Sequence, residues 1–235
     1  VTPDEASTEP WRADFTALMI SLQLSTATVL VLLALATPLA WWLAKSQTRL
    51  RVVVEAIVAL PLVLPPTVLG FYLLLFLGPH GPMGQLLNFL GAERLVFSFG
   101  ALLVGSVLYS LPFVVQPLQN AFQAIGPRLF EAAAMLRASP WDRFVTIALP
   151  LARRGFLTAT VLGFAHTMGE FGVVLMLGGN IPGSTQTASI AIFNHVEALD
   201  YPAAHRLSAT LLVLSFVMLL TVYIVNHRAQ RVEVA

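Results

Sequence analysis

Two stretches of this sequence combine residue types and spacings that can do chemistry. The first is His166-Thr167-Met168-Gly169-Glu170-Phe171-Gly172. An imidazole and a carboxylate four residues apart lie one turn from each other on a helix and can hydrogen-bond. The pair is too small a donor set to hold a metal, which needs three or four ligands, so no metal site is expected. Gly-Glu-Phe-Gly is not a dinucleotide fingerprint. The second stretch, residues 126–150, sets Glu131-Ala132-Ala133 among Arg128, Arg137 and Arg143. It lacks a phosphate-cradling GxxxxGK[ST] loop, as does the rest of the chain, so any ATP hydrolysis must fall to another chain. With no cysteine, thiolate catalysis and disulfides are excluded.

The elements that must position these residues are membrane helices. Of 235 residues, 57% are hydrophobic and 11% charged, with a mean hydropathy of +0.80. Globular chains carry about 25% charged residues. A water-soluble enzyme domain is therefore excluded, and so is intrinsic disorder, which needs low hydrophobicity and high charge. Five apolar stretches, at about 18–43, 52–77, 95–118, 157–177 and 207–225, are each long enough for a span of about 20 residues. The expected architecture is all-α, a polytopic membrane protein with five transmembrane helices. It divides into a polar N-terminal tail at 1–14, a transmembrane unit at 15–228 and a short tail at 229–235. Residues 1–14 lack the basic start of a cleaved signal peptide, so the first apolar run is expected to stay as a span.

Charge sets the orientation. Lys45, Arg49, Arg51, Arg128, Arg137, Arg143, Arg153, Arg154, Arg228 and Arg231 fall on one side, and Arg12, Arg94 and Arg206 on the other. The basic side is cytoplasmic, which puts the N-terminus outside and the C-terminus inside. Arg94 and Arg206 are candidate steering charges for an anion. A net charge of +1 gives no reason to expect nucleic acid. The two halves show no internal symmetry of the kind many lone carriers have, and five spans offer few surfaces to enclose a path, so oligomerisation is expected.

Residues 126–150 read as two short helices with a break. Pro127 suits a first helical position, and Leu129, Ala133 and Leu136 recur on one face. Ser139, Pro140 and Asp142 mark a second start, followed by an apolar face of Phe144, Ile147 and Ala148. Two readings stand: a helix lying on lipid headgroups, or a docking element for a cytoplasmic partner. Upstream, LPLVLPPTVLG at 60–70 sets Pro61, Pro65 and Pro66 in one apolar run. It is either a kinked helix or a broken one lining a path, with Thr67 and backbone N–H groups as contacts. Glu170 is an interhelical hydrogen-bond partner, a charge near a path or a residue near an outer mouth. Gly169 and Gly172 beside it allow close packing or a bend. The loop with Asn180, Pro182, Gly183 and Thr185 is a connector, or it shapes an outer mouth or contacts a delivery protein.

Residues 126–150 resemble the EAA loop of ATP-binding-cassette importer permeases. That pattern is Glu-Ala-Ala, three residues, a glycine, nine residues, then Ile-x-Leu-Pro. Here Glu131, Ala132 and Ala133 open it and Ile147, Leu149 and Pro150 close it, with Ala138 read in the glycine's place. In the family this loop forms coupling helices held in a cleft of the ATPase subunit, which implies a coupling role for these residues and for Arg137. The proline run with Pro65, Pro66 and Thr67, the Gly169-Glu170-Phe171-Gly172 string and the loop at Asn180-Ile181-Pro182-Gly183 with Thr185 are together similar to the permeases of molybdate importers. Two of these strings are shared with sulfate/thiosulfate permeases. The resemblance implies a cytoplasmic (inner) membrane location and a second copy of the chain as a homodimer. It also implies two P-loop ATPase subunits carrying ATP and Mg, and an extracytoplasmic oxyanion-binding protein. No cofactor and no catalytic residue is implied on this chain, a non-catalytic subunit. The alternatives are a sulfate/thiosulfate or tungstate permease, or a stand-alone carrier.

Overall fold

Apolar faces recurring every three to four residues dictate helices. In the computed structural model of the chain, every regular element among the described residues is helical. The structure describes residues 3–91 and 95–233, with side chains for 11–91, 95–221, 223 and 224. Arg94 thus lies outside the described residues, as do the side chains of Arg228 and Arg231.

The centre of the fold is a bundle of three helices: α1 (Pro3–Lys45), α5 (Phe99–Gln123) and α9 (Arg153–Gly169). On α1 the buried residues Ala17, Leu24, Leu32, Ala36, Ala40 and Leu43 form one stripe. The stripe also holds Ser21, Ser25 and Thr28, which are equally buried. Small residues let the backbones approach closely, as membrane helices require when no water drives them together. A Cβ on Gly155 of α9 would lie 2.3 Å from the Ala121 Cβ of α5, and one on Gly163 would lie 2.6 Å from Val114 Cγ2. α1 is helical well before its apolar run: the polar segment expected as a tail is helical from Pro3 onward.

Three of the five expected spans are unbroken helices apolar enough to cross a membrane: Trp11–Lys45, Phe99–Gln123 and Tyr201–Thr221. The last belongs to α12 (Tyr201–Glu233). The other two apolar stretches are broken. The run at 52–77 divides into α2 (Arg49–Val63) and α3 (Pro66–Leu77), and the chain bends by 112° across the break. Pro61 is accommodated inside α2, whereas Pro65 caps α3 and Pro66 opens it. Two adjacent prolines remove two N–H groups and push the residue before them out of the α region. Leu64 accordingly has ψ 134°. The run at 157–177 divides at Glu170 into α9 and a short helix, α10 (Gly172–Gly178).

Two helices were not anticipated from the sequence. α4 (Pro82–Phe89) folds back after α3, and α11 (Ala188–Glu197) precedes α12. Both are short, and α11 owes its place to contacts distant in sequence. Its first N–H, at Ala188, donates to Ser21 Oγ at 2.8 Å. His195 Nε2 is 2.8 Å from Asp14 Oδ1. Asp14, expected in a tail, therefore ties α1 to α11. Arg206, expected to steer an anion, stands 5.4 Å from the Trp11 ring.

The close crossing of α9 and α5 is directly testable. Gly155→Leu inserts a side chain where even a methyl group collides. It is expected to lower stability by about 1–3 kcal/mol, read as a lower melting temperature of the detergent-solubilised protein.

Candidate functional site

The two helix breaks face each other. A Cβ on Gly172 would lie 2.7 Å from the Pro66 Cβ, and one on Gly70 would lie 2.9 Å from the Met176 Cβ. α3 and α10 are thus in backbone-close contact. The breaks open a cavity of about 620 Å³ lined by Pro66, Thr67, Tyr109, His166, Gly169, Glu170, Phe171 and Gly172, with Ala165, Leu175 and Met176. The proline run and the Gly-Glu-Phe-Gly string, about 100 residues apart in sequence, therefore share one site. Pro65 caps α3 beside the cavity and is not in its lining.

Glu170 is 5% exposed. Its Oε2 accepts from Ser106 Oγ on α5 at 3.0 Å, and its Oε1 has no partner among the described residues. Its backbone carbonyl accepts from Ser189 Oγ of α11 at 2.5 Å. One residue therefore joins α9, α5 and α11. Among the three readings of Glu170, the interhelical hydrogen bond is present. The expected bond between His166 and Glu170 is absent. Glu170 has ψ 135°, so it has left the helix and no longer stacks one turn above His166. The imidazole turns to α5 instead: Nδ1 is 2.9 Å from Ser110 Oγ, and the ring stacks on Phe113 at 3.8 Å.

The expected outer loop is closed on itself. Asn180, at φ 57°, exchanges amide hydrogen bonds with Asn194 at 3.0 and 3.1 Å. Thr185 is fully buried. Its hydroxyl donates to the Gly178 carbonyl at 2.6 Å and accepts from the Ile181 N–H at 3.0 Å. Thr185 is thus an internal staple and not a surface contact. Pro182 and Gly183 form the exposed tip.

Residues 126–150 fold as two helices joined by a corner, α6 (Pro127–Met135) and α7 (Pro140–Arg143). From α7 the chain runs through a π turn, Phe144–Ala148, into α8 (Leu149–Leu151). Pro127 and Pro140 open the two helices, and Ser139 with Asp142 forms a reciprocal capping box. The Ser139 hydroxyl and then the Ser139 N–H hold the Asp142 carboxyl below the usual carboxylate range. The second expected apolar face is packed inward: Ala148 is buried and Phe144 and Ile147 pack beside it. The first is not. Leu129 and Leu136 are 51% and 84% exposed, and Phe130 turns inward instead. It meets Trp41 at 5.7 Å, while Trp41 also meets Phe122 and Phe144 at 5.2 Å. Trp41 and Phe122, which the motif does not include, fix the loop to α1 and α5. Glu131, Ala132, Leu149 and Pro150 face outward.

The corner corrects the placing of the motif glycine. Three residues after Ala133 end at Leu136, so the glycine place is Arg137, not Ala138. Arg137 has φ 60°. The Arg137 N–H reaches the Ala134 carbonyl at 2.9 Å and the Ala138 N–H the Ala133 carbonyl at 3.0 Å. These are the two bonds of a helix end closed by a left-handed residue, and any residue with a Cβ is strained there. Arg137→Gly is therefore expected to stabilise the chain by about 1 kcal/mol, seen as a higher melting temperature. Ala138→Gly is expected to give no such gain.

Comparison with known proteins follows this geometry. Residues 36–231 match the family described as binding-protein-dependent transport system inner membrane component. The chain is 59% identical over 210 residues to a molybdenum transport system permease protein of Azotobacter vinelandii, covering 89% of this chain and 93% of that one. It is 34% identical over 205 residues to a putative molybdenum transport system permease of Bacillus subtilis, covering 87% and 90%. Among solved structures, it superposes on a chain of a bacterial alginate ABC transporter in complex with an alginate-bound periplasmic protein. There the TM-score is 0.71 at 20% identity, over 93% of this chain and 78% of that one.

Proposed function

The chain belongs to the binding-protein-dependent transport system inner membrane components, and from that membership we propose that it is the permease subunit of an ATP-driven importer of molybdate. The observation that carries the reading is the 59% identity, sustained over nearly the whole length, to a molybdenum permease. The subunit makes and breaks no covalent bond and is not an enzyme. ATPase subunits and an extracytoplasmic binding protein complete the importer.

The finer reading is as follows. The chain crosses the cytoplasmic membrane five times, through three unbroken helices and two apolar runs broken at the proline pair and at Glu170. Its N-terminus is outside and its C-terminus inside, a placement supported by the arginines that crowd residues 126–154. Two copies assemble as a homodimer. Glu131, Ala132, Ala133, Arg137, Ala138, Ile147, Leu149 and Pro150 belong to the loop that grips an ATPase subunit. Exposed Leu129, Met135 and Leu136 support this, since an apolar knob at a water-facing corner is covered by a partner. The aromatic seat under α6 supports it too, because a force on the loop passes directly to α1 and α5. ATP and Mg act on the ATPase and not on this chain.

The cavity between the helix breaks, with Pro66, Thr67 and Gly169 to Gly172, is part of the path or its gate, and Pro65 shapes its edge. Irregular backbone at membrane depth fits a protein-lined cavity. Thr67, at the start of α3, offers a hydroxyl to an oxyanion. Glu170 is no anion ligand; its carboxylate holds helices together through Ser106. ATP binding closes the ATPases and turns the permeases outward to receive the oxyanion. Hydrolysis returns them inward.

Two measurements test the reading. In the reconstituted importer, molybdate-loaded binding protein is expected to stimulate ATP hydrolysis more than the sulfate-loaded form, and the reverse order would reassign the cargo. Glu131→Lys and Ala133→Trp are each expected to cut ATPase co-purification at least tenfold while the chain stays membrane-inserted. Undiminished co-purification would remove this loop from the contact.

A further inference from the structure

The 13 basic residues of the chain are twelve arginines and one lysine, Lys45. It ends α1, where any cation suits the helix dipole. Its setting is more particular than that. Nζ stands 4.0 Å from the Phe130 ring centre and 5.3 Å from that of Trp41. These rings form the floor of a cleft of about 440 Å³ between α6 and α7, whose lining also includes Glu131, Ala134 and Arg143. Lys45 comes from a helix outside the loop motif, yet it occupies the loop's own cleft.

The chemistry of the cleft selects its occupant. An ammonium resting on aromatic faces spends one side of its charge on the rings. It has three N–H donors, so donors remain on the open side, and Lys45 itself is exposed. No carboxylate among the described residues forms an ion pair with it. Asp142 is taken up by Ser139, which leaves Glu131 as the one carboxylate in the lining against Lys45 and Arg143. The balance is positive, while the floor is apolar. A carboxylate on a short methylene stem meets both conditions.

We infer that a carboxylate side chain of the ATPase partner enters the cleft between α6 and α7 and pairs with Lys45 over the seat of Trp41 and Phe130. The inference rests on reading residues 126–150 as the ATPase-docking loop. It makes Lys45 and Trp41 part of that contact and makes the loop a receptor as well as a handle.

The assembled importer tests this with a carbodiimide, which joins an amine and a touching carboxylate as an amide with loss of water. Lys45 is the one side-chain amine of the chain, so peptide mass spectrometry reads its product unambiguously. The expected result is an amide between Lys45 and an aspartate or glutamate of the ATPase. Its yield should drop at least tenfold in Lys45→Arg, which keeps the charge and the ATPase but cannot form the bond. Lys45→Glu should lower ATPase co-purification at least tenfold. The inference is overturned if Lys45 joins only Glu131 or Asp142 of its own chain, or if Lys45→Glu holds the ATPase undiminished. It is equally overturned if Lys45 is shielded from acylation by phosphatidylglycerol vesicles and not by the ATPase. A native preparation that holds no ATPase at all would instead break the docking-loop reading itself.

Discussion

Inside a hydrocarbon layer a backbone N–H or C=O without a partner costs several kcal/mol. That constraint explains why the two helix breaks lie where they do. At 64–65 and at 170–171 the helical ladder stops. Neither break could face lipid alone. They face each other, with Gly172 against Pro66 and Gly70 against Met176. The freed carbonyl of Glu170 is taken by Ser189 of α11. The break at Glu170 is thus buried in protein, the proline break keeps Val63, Pro65 and Thr67 exposed, and the space between the two breaks is the cavity.

The same economy of partners runs through the neighbouring polar side chains. Ser106 and Ser110 of α5 are fully buried, and each has a partner on the α9 side, Glu170 for one and His166 with Thr167 for the other. Hydroxyls on one helix and acceptors on the next fix their relative height as well as their distance. The loop at residues 180–187 obeys the rule too, with its amides and hydroxyls turned inward onto Asn194 and Gly178. Asn180 and Thr185, which looked available as contacts, are consumed in holding the fold.

At the other end of the bundle the means are apolar. Trp41 of α1 gathers Phe122, Phe130 and Phe144 from three different elements. Edge-to-face ring contacts fix direction as well as contact, so α6 and α7 are set at a defined angle to the bundle. Because Phe130 is turned in, Leu129 and Leu136 are turned out. The exposed apolar corner is therefore a consequence of the aromatic seat.

The sequence alone was sufficient for the membrane class, for three continuous helices and for both starts within residues 126–150. The reason is that these depend on local terms: apolar run length, the proline at a first helical position, and the Ser139–Asp142 capping box. The EAA string and the Gly-Glu-Phe-Gly string were legible for the same reason. Tertiary structure decided the rest. Whether the proline run bends or breaks depended on α10 being there to cover it. Whether His166 met Glu170 or Ser110 depended on Glu170 leaving the helix. Which face of α6 turned inward was chosen by Trp41, 89 residues before Phe130. Local pattern fixes what a segment can become; the partner that satisfies its last polar or apolar group, usually far away in sequence, fixes what it is.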